Sequence, residues 1–350
     1  MRAVTIAAFA LAAALPAMAN DTTAQLGTGG LVFVTNDAIE MTSEHLFVSP
    51  DEIRVVYTFT NTQDAPQTIL VAFPMPDIEG GPESMVDVPS AYAEQAGMDA
   101  SDPDNLFGFR TTLNGEPVSA ELHQNAFHNN IDYSKLLTKF GIPLNPVSGA
   151  TYRALNATSA AQAEQLLHNG LIFGMEYDAG NGPTRDYSPL WSLRSAYSWQ
   201  ATFPPGQSEV VHTYRPSVGG TVGITFMPQE DDDGYSRRRL AEYRDKYCLD
   251  DAFVAALGQT AIDREGWTTY PYIESWISYV WSTGNNWSGP IGRFTLTIDK
   301  GSADNLVSFC GDDVRKTGPT SFELTQENWH PPWDRELEIL LLKRVDWYDE

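Results

Sequence analysis

The stretch Ile53-Arg54-Val55-Val56-Tyr57-Thr58-Phe59-Thr60 alternates with a period of two. Ile53, Val55, Tyr57 and Phe59 fall on one side of an extended chain, and Arg54, Val56, Thr58 and Thr60 on the other. That is the pattern of a strand with one buried face. Asn61 to Pro66 is turn chemistry, and Ile69, Val71 and Phe73 resume the run until Pro74-Met75-Pro76 stops it, so the two runs read as a hairpin. The same signal recurs outward from there. Tyr197, Trp199, Ala201 and Phe203 run into Pro204-Pro205-Gly206, and Val210 to Tyr214 comes back. Asn114-Gly115 marks a tight turn between Phe109, Thr111 and Leu113 and Val118, Ala120 and Leu122. Phe294, Leu296 and Ile298, then Phe322 and Leu324, then Leu337, Ile339 and Leu341 mark the last strands. Many short alternating runs separated by turns predict β-sandwich architecture.

Two regions change period. Tyr133, Leu136, Leu137 and Phe140 share a helix face that ends at Gly141 and Pro143, and Ser159 with Gln162 forms a capping-box pattern before the stop at Asn169-Gly170. Residues 123–184 therefore read as a mostly helical insertion. Leu240, Tyr243 and Tyr247 form a second helical stripe, followed by Phe253, Ala256 and Leu257. The polar run Glu230 to Gly234 marks the main boundary. The expected fold is mainly β (α+β), with two β-sandwich-like units and helical insertions: residues 20–228 with the insertion, then 235–345.

The first nineteen residues read as a secretory signal. Arg2 is a minimal basic start, Val4 to Leu15 is an apolar run too short to span a bilayer, and Ala17-Met18-Ala19 has the form of a cleavage site. No later apolar segment is long enough to cross a membrane, so the expected location is periplasmic or secreted. There an intact pair of cysteines persists as a disulfide. Cys248 and Cys310 are the two present, and a bridge between them is expected, the alternatives being buried thiols or a reactive cysteine. Of the 350 residues, 22 are Lys or Arg and 46 are Asp or Glu, a net charge of −24 that excludes nucleic acid and anionic lipid as partners.

Further signatures are Asn20-Asp21-Thr22-Thr23-Ala24, Leu26-Gly27-Thr28-Gly29-Gly30-Leu31, Phe73-Pro74-Met75-Pro76-Asp77 and Thr213-Tyr214-Arg215-Pro216. Thr283-Gly284-Asn285-Asn286-Trp287-Ser288-Gly289-Pro290-Ile291 and Leu306-Val307-Ser308-Phe309-Cys310 follow near the end. Together they resemble the secreted proteobacterial family catalogued as domain of unknown function 4424, over nearly the whole mature chain. The resemblance implies export and a shared framework of turns. It brings no activity, cofactor or catalytic residue.

The chemistry-bearing residues fit no reaction motif. There is no His-Glu-x-x-His, no Gly-x-Ser-x-Gly and no phosphate-binding loop. His123 and His128 lie five apart, which fits neither a helical nor a strand pair of metal ligands, and the alternation of His212 with Val210 and Tyr214 makes it a core or sheet-face residue. Asp231, Asp232 and Asp233 before Gly234 are the best candidate for Ca²⁺, although the EF-hand pattern fails there and a solvated interdomain loop is the default reading. No other cofactor is expected. Seven aromatic residues crowd between Trp267 and Trp287. Core packing accounts for such a cluster, and so does a recognition surface. Tyr272, Trp276 and Trp287 are the candidate binding rings, with Trp276 nearer the surface and Trp281 in the core. Two functions are compatible with this pattern. One is a non-catalytic binding or envelope-assembly module that engages a protein or glycan of the cell envelope. The other is a periplasmic hydrolase using paired carboxylates in an interdomain cleft.

Overall fold

The computed structural model describes residues 22–27, 30–81, 86–87, 107–178, 180, 182–216, 218–228, 234–264 and 267–346. The expected signal sequence, residues 1–19, and the candidate Ca²⁺ residues Asp231, Asp232 and Asp233 lie outside these. The described chain is mainly β, as its alternating runs require. Among the described residues it forms an eight-stranded, a seven-stranded and a five-stranded sheet, with two separate two-stranded hairpins.

The opening stretch, Ile53–Asn61, lies near the middle of the eight-stranded sheet between Ile39–Val48 and Gly206–Tyr214. Its odd-numbered side chains face inward. They meet Val71, Phe73, Tyr197 and Trp199 of the seven-stranded sheet, and Ile277, Tyr279 and Ile339 of the five-stranded sheet, in one core. The outer face of the five-stranded sheet is buried too. There Tyr272, Leu340 and Leu342 pack against Tyr243, Tyr247 and Leu257 of the helices Tyr235–Tyr247 and Asp251–Gly258.

Two expected hairpins are corrected. Ile53–Asn61 and Gln67–Pro74 do not pair, nor do Ser192–Phe203 and Gly206–Tyr214; in each case the turn carries the chain from one sheet to the other. Buried Asn61 ties both crossings together, its Nδ2 donating to Ala65 O and Phe203 O at 2.9 Å each. Alternation reports that a strand has a buried face, and either arrangement satisfies it. The Asn114-Gly115 turn does join paired strands, with both residues in the left-handed region at φ 52° and 83°.

Strands from the two halves of the sequence share the eight-stranded sheet. Ile291–Asp299 lies parallel to Ile39–Val48, with Arg293 opposite Ser43. The run Glu230 to Gly234 therefore separates two stretches of chain that meet again in one sheet. Register here depends on Gly292, because a Cβ at that position would stand 2.5 Å from Thr42 O, at the bulge between Met41 and Ser43.

Cys248 and Cys310 are joined. Cys248 closes the helix Tyr235–Tyr247 in a left-handed conformation, and Cys310 follows the strand Leu306–Phe309. The bond fixes the helix to the edge of the five-stranded sheet.

Candidate functional site

The insertion is built on the strands Glu121–His128 and Ser192–Phe203, neighbours in the seven-stranded sheet. Three short helices follow the first strand: Ser134–Lys139, Gly149–Asn156 and Ala160–His168. Ser148 caps the second helix and the Ser159–Gln162 box caps the third, as its sequence predicts. Leu137, Ile142, Leu155, Leu166, Leu171 and Trp191 give the insertion a core of its own, and Trp191 Nε1 donates to Leu144 O at 2.7 Å.

From this base projects a hairpin of Ile172–Asp178 and Pro183–Pro189. Asp178 Oδ1 orders its turn by accepting from Gly180 N at 2.8 Å and Gly182 N at 3.2 Å. Phe173, Met175 and Tyr177 alternate along one face and are 47%, 47% and 46% exposed. The Tyr177 hydroxyl donates to Asp186 Oδ2 at 2.7 Å, and Asp186 in turn holds that phenol above its ordinary pKa. On the other face the Tyr187 ring lies over Gly174. An open groove of about 390 Å³ runs there between Leu167, Gly174, Glu176, Arg185 and Tyr187, with Arg185 paired to Glu176.

Eight large apolar side chains are exposed among the described residues, and Ile131, Leu167, Phe173, Met175 and Tyr177 of the insertion are five of them. A side chain of this kind left singly on a surface needs no explanation, whereas an aligned group does. The sequence reading placed this segment in the helical insertion. The signal for a hairpin was present in the alternation of Phe173, Met175 and Tyr177 before Gly180-Asn181-Gly182.

The sequence-predicted rings are distributed differently. Trp287 is buried, with its ring centroid 4.5 Å from that of Phe59, and Tyr272 is buried between the five-stranded sheet and the helices. Trp276 keeps part of its surface and lies 5.7 Å from the Arg239 guanidinium. The aromatic segment is a strand, Tyr272–Tyr279, running into a short 3₁₀ turn at Ser282–Asn286, and most of its rings belong to the core. His212 is buried among Tyr57, Phe73, Phe109 and Trp199. His123 Nε2 lies 2.8 Å from Ser198 Oγ and His128 Nδ1 2.7 Å from Leu190 O, so each ring ties Glu121–His128 to a neighbouring stretch of chain. Among the described residues no three His, Cys, Asp or Glu side chains gather to hold a metal.

The carboxylates inside the fold are engaged by nearby donors. Glu274 accepts from Thr225 N, Thr225 Oγ1 and the Tyr243 hydroxyl, and Glu44 from the Tyr279 hydroxyl. Glu336 accepts from Trp281 N, Ser282 N and Ser282 Oγ. Burial nonetheless raises Glu336 above the ordinary glutamate range, because desolvation of the charge outweighs those donors. A raised folded-state pKa means that this group's stabilisation is complete below its unfolded-state pKa and is lost as pH rises through the folded one. Acidifying from about pH 7 to about pH 5 should therefore raise the melting temperature more in the wild type than in Glu336→Gln. Parallel melting curves for the two proteins across that range would show the expectation to be mistaken.

The family model described as a domain of unknown function, DUF4424, matches residues 19–340, and the chain belongs to that family, as its turn motifs implied. No curated protein matches the sequence. Among solved structures, a Legionella pneumophila protein provisionally described as a nutrient binding protein is similar at 15% identity and a TM-score of 0.41. The alignment covers 94% of this chain and 71% of that one.

Proposed function

We propose that this chain is an exported, non-catalytic binding module of the cell envelope, and that it engages an apolar surface of a protein partner through the insertion. The observation that carries this reading is the aligned exposure of Phe173, Met175 and Tyr177 on a hairpin seated on its own small core. An ordered base lets apolar side chains stand in water without collapsing onto the protein, which lowers the entropy lost on binding. Side chains of this type suit a polypeptide better than a glycan, whose hydroxyls need a matching set of polar groups. Export is supported by the disulfide, which fits an oxidising compartment. No helix among the described residues is long and apolar enough to cross a membrane.

The test is the triple variant Phe173→Ser/Met175→Ser/Tyr177→Ser. Its unfolding free energy should stay within about 1 kcal/mol of wild type, since these side chains are largely exposed. The tagged wild type should recover a partner from periplasmic extract that the variant does not. Recovery of the same proteins by both would remove the hairpin from the binding surface.

A further inference from the structure

We propose that the strand Ile172–Asp178 pairs with the same strand of a second copy of this chain, making a four-stranded sheet across a two-fold axis at Met175. Among the described residues this strand bonds to Pro183–Pro189 alone, so its other edge is open. The hydrogen bonds around the hairpin fix which groups face that edge. Leu190 N donates to Leu171 O, and Tyr187 N points away from the pairing toward Asn156 Oδ1. Alternation then turns the N–H and C=O of Gly174 and Glu176 outward on the open side. The far edge of the hairpin is guarded by Asn156, which bonds both Asp186 and Tyr187, and its strand begins and ends with proline. Ile172–Asp178 has no proline, no lysine and no helix bonded along its edge, the usual devices that keep edges apart.

The strand complements itself. Met175 is its midpoint, so an antiparallel partner centred there overlaps all seven residues. Phe173 of one copy then stands opposite Tyr177 of the other, and Met175 opposite Met175, joining the two apolar stripes into one. On the reverse face Glu176 stands opposite Gly174, and Asp178 opposite Ile172. No two carboxylates meet directly, and Glu176 is already neutralised by Arg185. What opposes the pairing is the long-range repulsion between two copies of charge −24, which salt screens. The seam is shorter than the ~800 Å² per partner of a standard interface, so association belongs at the weak end. This pairing does not rest on the binding reading above: its test involves no partner protein.

Both native cysteines are bonded to each other, so one introduced cysteine is the sole free thiol. Position 175 would be a non-hydrogen-bonded pair, with Cα atoms about 4.5 Å apart, within disulfide range. Under a mild oxidant Met175→Cys should give a covalent dimer, while Phe173→Cys and Tyr177→Cys alone should not and a mixture of the two should. Sedimentation of the wild type at about 0.5 mM should show a dimer that strengthens as NaCl rises from about 50 to about 500 mM. Glu176→Pro, which removes an outward N–H without touching the core, should weaken it by about tenfold or more. A wild type that stays monomeric at all salt concentrations, cross-linking of equal rate at positions 173, 175 and 177, or a dimer untouched by Glu176→Pro would each overturn the pairing.

Discussion

Trp281→Ala is expected to destabilise the protein by about 3–5 kcal/mol, the cost of emptying a large buried site that cannot collapse. The ring stands edge-on to Phe294 and Trp329, with centroids 6.1 Å and 5.1 Å away, and its Nε1 donates to Arg335 O at 2.8 Å. Truncation removes those contacts and leaves a carbonyl without its donor. Trp276→Ala should cost less, about 1–2 kcal/mol, because that ring sits at the margin of the core against the helices, partly in solvent and 5.7 Å from the Arg239 guanidinium. Urea denaturation of both variants measures the difference. Equal losses would mean that the two rings, on the same strand and its extension, are buried to the same effect.

The second large effect is expected from Cys248→Ser/Cys310→Ser. The bridge closes a separation of 62 residues, for which loop-closure entropy gives about 4 kcal/mol. The same loss should appear when the wild type is unfolded in reductant. The local consequence should be confined to the helix Tyr235–Tyr247, whose Tyr243 and Tyr247 hold the outer face of the five-stranded sheet. Amide exchange along that helix should quicken before the eight-stranded sheet responds. Loss of under ~1 kcal/mol in reductant would show that packing against Tyr272 and Leu340 holds the helix unaided.

The strands were legible because each carries one buried face, and period two is what such a face writes into a sequence. Ile53 to Thr60 and Phe294 to Ile298 were found in this way. Sheet membership was not legible. Whether Asn61 to Pro66 folds back or crosses over depends on hydrogen bonds that leave no trace in side-chain pattern. Leu337 to Leu342 shows the limit differently. Ile339 faces one core and Leu340 and Leu342 the other, so the run is apolar on both faces and alternation is blurred. The aromatic cluster was compatible with a core and with a recognition surface, and a sheet covered on both sides takes most of its rings into the core. The exposed stripe was missed because a short alternating run followed two correctly placed helix signals, at Tyr133 to Phe140 and at Ser159 to Gln162, and was absorbed into them.

The parallel contact between Ser43–Val48 and Arg293–Ile298 sets an order of events for the chain as it is made. One strand emerges near the beginning and its neighbour near the end, so the edge of Ile39–Val48 stays uncovered for most of that passage. Closing so distant a pair is slow, because the chain entropy is lost before the contact repays it. During that interval an apolar strand with one bare edge is the segment most exposed to mispairing. Both cysteines also lie in the late half, so oxidation follows the arrival of the partner strand in the same stretch of chain. A folding helper acting on this chain would have to shield the early strand until the last third of the chain has emerged.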